Sequence, residues 1–167
     1  MRCKCISDIY KVTDDNILYS STFYIILCLS IAMSTLWHLK QEKLESNDQE
    51  ILTGIEDWVS KAKFEKKNAD DYELCVDNGL SETWKVLKNM DLIKKFPPRR
   101  GSIVRIPGPK SSPWRNSEGN SFICPIRVVQ GKPTISGSPL IVGESTYMTK
   151  GVGVDISPGI DILFLLL

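Results

Sequence analysis

The stretch Ile17 to Trp37, ILYSSTFYIILCLSIAMSTLW, contains no charged residue and stands between two charged segments. A helix that spans a bilayer needs about 20 predominantly apolar residues, and this stretch is just long enough. Tyr19, Tyr24 and Trp37 lie toward its ends, where interfacial aromatic residues are common. The sequence therefore predicts an N-terminal hydrophobic helix at 17–37 that anchors the protein in a membrane as a single-pass segment.

Two other interpretations of this stretch stay open. Ser30-Ile31-Ala32 follows an apolar run and offers the small residues of a signal-peptidase site, which would make the remainder a secreted domain. Cys75 and Cys124 could then form a disulfide. Alternatively, Met33 begins MSTLWHLKQEK, which is typical of a cytosolic N-terminus. The working protein would then be a cytoplasmic adaptor or a nucleic-acid-associated protein.

Composition argues against several functional classes. The net charge of +1 removes the simplest argument for a strongly basic nucleic-acid binder. The five cysteines are scattered and odd in number, so they do not form a disulfide framework. His38 is the only histidine, and no nucleophile, carboxylate pair or metal-ligand spacing accompanies it. The sequence predicts a non-enzymatic protein without a cofactor, a metal or catalytic residues.

Residues 38–96 read as helical. Ser46 and Gln49 have the spacing of a capping box, and the residues behind them repeat at helical spacing. The resulting apolar stripe consists of Ile51, Ile55, Trp58, Val59 and Ala62. Ser81 caps a second helix that continues to Phe96, where Pro97-Pro98 stops it. The two helices predict an amphipathic helical hairpin that binds a protein partner, with Trp58 as its anchor.

Residues 97–120, PPRRGSIVRIPGPKSSPWRNSEGN, change composition to Pro, Gly, Ser and Arg and predict a basic linker. Its cations and its aromatic residue are typical of contacts to nucleic-acid phosphates and bases, or to anionic lipid. The candidate interaction residues here are Arg99, Arg100, Arg105, Trp114 and Arg115. Ser102 and Ser112 lie in contexts that resemble phosphorylation sites.

Residues 121–167 predict a β region of short strands, separated by Gly, Ser and Pro clusters. Its end, Ile160 to Leu167, is too short to span a bilayer and would pair as a core strand. An ending within a buried strand also agrees with a truncated β region.

The sequence as a whole predicts an α+β protein. Its parts are an N-terminal tail (1–16), the hydrophobic helix (17–37), the helical region (38–96), the basic linker (97–120) and a small irregular β segment (121–167). The function expected from this layout is that of a non-enzymatic, membrane-anchored accessory protein that acts through protein–protein interaction.

Overall fold

The computed structural model describes residues 39–66 and 71–167, which belong to one unit, His38–Leu167. The predictions made for Ile17–Trp37, whether anchor, cleaved signal or extension before Met33, lie outside the described residues. Within the described ranges, no helix is both long enough and apolar enough to cross a membrane.

The described residues of this unit form two antiparallel sheets and three helices. The helices are α1 (Ser46–Lys61), α2 (Leu80–Leu87) and α3 (Asp91–Lys95). The larger sheet has seven strands in the order β1-β9-β6-β11-β4-β3-β2. Its strands are β1 (Leu39–Lys43), β2 (Phe64–Lys66), β3 (Glu73–Cys75), β4 (Arg100–Ile106), β6 (Ser121–Val128), β9 (Glu144–Met148) and β11 (Ile160–Leu166).

The smaller sheet has four strands in the order β5-β10-β7-β8. They are β5 (Ser112–Arg115), β7 (Thr134–Ile135), β8 (Ser138–Pro139) and β10 (Gly153–Ile156). Both sheets contain strands from distant parts of the chain, so the fold depends on long-range pairing.

Strand β11 lies in the middle of the larger sheet, between β4 and β6. Successive side chains of a strand point to opposite faces, and both faces of β11 are covered. Leu163 and Leu165 belong to the core on one face, whereas Ile160 and Ile162 belong to the core on the other. This two-sided burial explains why the strand reads as a nearly continuous apolar run.

One core lies between the larger sheet and the helices, which we call the helix-side core. Its buried residues from α1 are Leu52, Ile55 and Val59, and they meet the face of the sheet that carries Leu163. The other core lies between the two sheets and includes Ile135 and Ile156 of the smaller sheet. The unit is therefore a three-layer arrangement of helices, larger sheet and smaller sheet.

Helix α1 forms where the periodic apolar stripe predicted it, but its beginning differs. The Ser46–Gln49 capping box does not form, because no side chain caps the helix at Glu45. The Gln49 side-chain amide instead donates to the carbonyl oxygen of Leu44 over 2.7 Å. The Gln49 amide therefore binds the turn between β1 and α1 and does not cap the helix.

The second predicted helix, Ser81 to Phe96, is divided into α2 and α3. Met90 has an extended backbone conformation between them. The buried carboxylate of Asp48, in the first turn of α1, accepts the backbone N–H groups of Asp91 and Leu92 over 2.5 and 3.0 Å. Asp48 thus satisfies the free donors of a new helix start, which the local sequence alone does not indicate.

The predicted fold class, a helical hairpin followed by a small irregular β segment, is wrong. The unit is mostly β, with two sheets and three short helices. Strands β2 and β3 pair with each other between α1 and α2, and residues 97–120, which were predicted as a linker, contribute β4 and β5. The prediction gave too little weight to strands whose partners are far away in sequence.

Replacing Asp48 with Ala removes the acceptor at the start of α3 and leaves two donors without it. We expect Asp48→Ala to lower the free energy of unfolding by about 2 to 3 kcal/mol. Denaturant unfolding measures this change. The exposed Asp57 on the same helix provides the matched control. If Asp57→Ala destabilises the protein as much as Asp48→Ala, the capping role of Asp48 is contradicted.

Candidate functional site

A cleft of about 420 Å³ lies between the helices and the start of β4. Trp84 and Lys88 from the α2 region, with Ile93 of α3, line one part of it. The segment 97–101 lines the other part. Of the predicted interaction residues, Arg99 and Arg100 are brought together here. We call this space the basic cleft.

The local sequence explains how the cleft forms. Pro97-Pro98 follows α3 and cannot continue a helix, so the chain turns away and enters β4 at Arg100. A Cβ atom on Gly101 would overlap Cη2 and Cζ2 of the Trp84 ring. Glycine at 101 therefore allows the indole to lie directly against the strand, and this contact closes one side of the cleft.

The lining of the cleft is positively charged. Among the described residues, those that line it include the cations Lys88, Arg99 and Arg100 and no acid. Arg99 donates from Nε and Nη2 to the carbonyl oxygen of Leu167 over 2.9 and 2.6 Å. These two hydrogen bonds orient the guanidinium beside the end of β11.

Arg100 has an anionic neighbour outside the cleft lining. Its Nη2 donates to Oε2 of Glu118 over 2.6 Å. The two side chains are 61% and 60% exposed, so solvent screens this ion pair strongly. An anion in the cleft can therefore approach Lys88 and Arg99 directly, and Arg100 once its pairing with Glu118 loosens.

Arg105 is separated from the basic cleft and takes part in a structural ion pair. Its Nε and Nη2 donate to the two oxygens of Asp161 over 2.7 and 3.0 Å. Nη2 also donates to the carbonyl oxygen of Val59 over 3.1 Å, and the guanidinium lies 3.9 Å from the ring centroid of Phe64. The hydrogen bonds to Asp161 raise the pKa of Arg105, although burial opposes that shift.

Asp161 is completely buried on β11 and faces a second cation. Arg105 on β4 and Arg127 on β6 are its cross-strand partners on either side. Arg127 Nε lies 3.3 Å from Asp161 Oδ2, without hydrogen-bond geometry. This three-residue cluster, Arg105–Asp161–Arg127, occupies adjacent strands, and we call it the charged triad.

The two predicted aromatic contact residues are largely used for packing. Trp58 is half-buried against the helix-side core. Trp114 is half-buried on the other side of the larger sheet, with ring centroids 5.1 Å from those of Tyr72 and Phe164. Arg115 is exposed and lines a second, shallower cleft of about 290 Å³ with Trp114 and Asp155. That cleft contains both charge signs.

The two predicted phosphorylation sites differ in access. Ser102 is half-buried in β4, opposite Phe164 of β11. Ser112 in β5 is 0% exposed, and its hydroxyl has no hydrogen-bond partner among the described residues. A kinase could reach the Ser112 hydroxyl only after β5 had opened. The half-buried Ser102 hydroxyl would need a smaller displacement of β4.

Cys75 and Cys124 are both buried free thiols that belong to the helix-side core. Burial raises the pKa of the Cys124 thiol to about 12, and it also raises the pKa of Cys75. Both groups are therefore protonated and poorly nucleophilic near neutral pH. They pack as small apolar side chains and do not form the disulfide considered for a secreted domain.

Sequence reasoning missed Trp84, Lys88 and Glu118 as members or neighbours of the site. Trp84 and Lys88 lie within the segment that was predicted as the second helix, and Glu118 lies within the predicted linker 97–120. The Arg99-Arg100 dipeptide was the one signal that pointed to this location.

Searches of family models, curated proteins and solved structures found no match to this chain. Within residues 39–66 and 71–167, no group of three or more His, Cys, Asp or Glu side chains could hold a metal ion. The functional interpretation therefore rests on the geometry of the basic cleft.

Replacing Gly101 with Ala places a methyl group inside the Trp84 ring. We expect Gly101→Ala to lower the free energy of unfolding by about 1 to 3 kcal/mol, because the indole or the strand must shift. Denaturant unfolding gives the stability, and near-ultraviolet circular dichroism reports the tryptophan environment. Gly153→Ala on β10 is the matched control, since no atom lies within 4 Å of its added Cβ. Equal behaviour of the two variants would contradict the close contact between Trp84 and Gly101.

Proposed function

We propose that this protein is a non-enzymatic interaction protein that binds the phosphate groups of single-stranded nucleic acid in the basic cleft. The observation that carries the proposal is the lining itself. Three cations and an indole surround a space of about 420 Å³, with no acid among the described lining residues. Clustered cations beside an aromatic residue are the usual features of single-strand binding surfaces.

The hydrogen bonds of the arginines support an anionic ligand. Arg99 is held in place by two hydrogen bonds to the carbonyl oxygen of Leu167. Guanidinium groups offer several N–H donors in one plane, which suits the oxygens of a phosphate. Lys88 adds an exposed ammonium to the same cleft and can neutralise a second phosphate.

The shape of the site favours a flexible strand over a membrane surface. The cations lie in a concave cleft between two helices and a strand, where a single-stranded chain can enter. Lys88, Arg99 and Arg100 are all exposed, so a lipid phosphate could also reach them. Anionic lipid is therefore the competing ligand, and vesicle binding is a separate arm of the test.

The proposal keeps the non-enzymatic character expected from the sequence and gives the basic segment a defined partner.

The membrane-anchored form of the protein stays a prediction that rests on Ile17–Trp37 alone. Carbonate extraction of the expressed full-length chain tests it. We expect the chain to stay with the membrane pellet, and its release into the soluble fraction would contradict the anchor.

Removing charge from the cleft tests the binding proposal. We expect the double variant Lys88→Gln/Arg100→Gln to bind a fluorescently labelled oligothymidylate at least about tenfold more weakly at low salt. Two lost phosphate contacts should also reduce the slope of log K against log salt by about 1.4. Fluorescence anisotropy of the full-length protein over a salt series measures both quantities.

The matched control is Lys40→Gln/Lys63→Gln, which removes the same charge outside the cleft. Both lysines are exposed, and each pairs with a neighbouring glutamate. This control should bind nearly as the wild type does. An equal loss in both double variants would show a general charge effect and contradict the cleft. Binding to phosphatidylserine vesicles but not to the oligonucleotide would contradict the choice of nucleic acid.

A further inference from the structure

The loop between β5 and β6 is held in a defined shape beside the basic cleft. Asn116 is buried, and its side-chain amide donates to the carbonyl oxygen of Gly119 over 2.6 Å. Its side-chain oxygen accepts the backbone N–H of Glu118 over 3.1 Å. These two hydrogen bonds fix the backbone on both sides of Glu118.

The same loop is hydrogen-bonded to Leu167, which directly follows β11 and lies beside the cleft arginines. The backbone N–H of Leu167 donates to the carbonyl oxygen of Asn120 over 2.9 Å. A Cβ atom on Gly119 would lie 2.6 Å from the Leu167 carbonyl oxygen and 2.8 Å from Arg99 Nη2. Glycine at 119 therefore lets the loop approach both the strand end and Arg99 closely.

This arrangement places one carboxylate against one cleft arginine. Glu118 Oε2 accepts from Arg100 Nη2 over 2.6 Å, while Arg99 beside it donates to the carbonyl oxygen of Leu167. Among the described residues, no other Asp or Glu side chain forms an ion pair with Arg99, Arg100 or Lys88. Glu118 is thus the acidic side chain that lowers the charge at Arg100.

We propose that Glu118 is an internal competitor for the ligand: its carboxylate occupies Arg100 in the free protein and is displaced when a phosphate enters the basic cleft. The inference rests on the proposed function, because it concerns the same site. An exposed ion pair is weak, so a ligand with several phosphates can replace it. A single weak anion gains little by the exchange, and Glu118 therefore favours polyanionic ligands over monovalent anions.

Neutralising the carboxylate should strengthen binding. We expect Glu118→Gln to bind the labelled oligothymidylate about two- to fivefold more tightly than the wild type, the range set by the strength of exposed ion pairs. Glu118→Lys should bind more tightly still, because it adds a cation. Fluorescence anisotropy of the full-length proteins at one fixed salt concentration measures the affinities.

Two comparisons separate this effect from a general change of charge. Glu65, on the edge strand β2, has a similarly exposed carboxylate that pairs with Lys63. Glu65→Gln should therefore change the affinity less than Glu118→Gln does. In an Arg100→Gln background, the gain from Glu118→Gln should shrink to that of Glu65→Gln. Persistence of the full gain without Arg100 would overturn the inference, because the carboxylate would then act without its partner.

The outcomes also distinguish this inference from the proposed function. If the wild type binds the oligonucleotide through Lys88 and Arg100 but Glu118→Gln equals Glu65→Gln, only the role of Glu118 is overturned. If neither the wild type nor Glu118→Gln binds the oligonucleotide, the proposed function is overturned and the inference with it.

Discussion

A buried carboxylate lies at the centre of the larger sheet. Asp161 is 0% exposed in the middle strand of the larger sheet, and it is paired with Arg105 and Arg127 on the neighbouring strands. A buried charge is tolerated only when close partners and hydrogen bonds replace its water. A shift of β4 or β6 by one residue would move an arginine to the other face of the sheet and leave Asp161 without it. The charged triad therefore favours this register of the three strands, and Arg105 also connects it to the last turn of α1 through the Val59 carbonyl.

That register also positions the basic cleft. Strand β4 pairs with β11 from Arg100 opposite Leu166 to Arg105 opposite Asp161. One end of the strand is held by the charged triad, and the other end presents Arg100 and Gly101 to the cleft. The two arginines of the same short strand thus have different roles, since Arg105 is bound to a buried partner and Arg100 to an exposed one. The basic cleft therefore depends on the fold, because the position of Arg100 follows from the strand pairing at the other end of β4.

The sequence reveals the parts of this structure that depend on local pattern. The stripe through Ile55 and Val59 predicts α1 because helical periodicity needs no knowledge of the rest of the chain. The division between α2 and α3 could not be predicted, since it depends on Asp48, which lies more than forty residues earlier. Likewise, Arg99, Arg100 and Arg105 look equivalent in one basic segment. Only the pairing of β4 with β11 shows that Arg105 forms an ion pair with Asp161. The sequence around either residue gives no indication of the other.

A double-mutant cycle between Arg105 and Asp161 tests most directly whether the charged triad holds the sheet in register. Denaturant unfolding would compare the wild type, Arg105→Gln, Asp161→Asn and the double variant. We expect each single variant to lose about 3 kcal/mol or more. Arg105→Gln leaves the buried Asp161 with only Arg127, and Asp161→Asn leaves two partly buried arginines without their shared carboxylate. The double variant should lose much less than the sum, with a coupling energy of about 2 kcal/mol or more. Additive losses, with a coupling energy below about 0.5 kcal/mol, would contradict the central role of this ion pair.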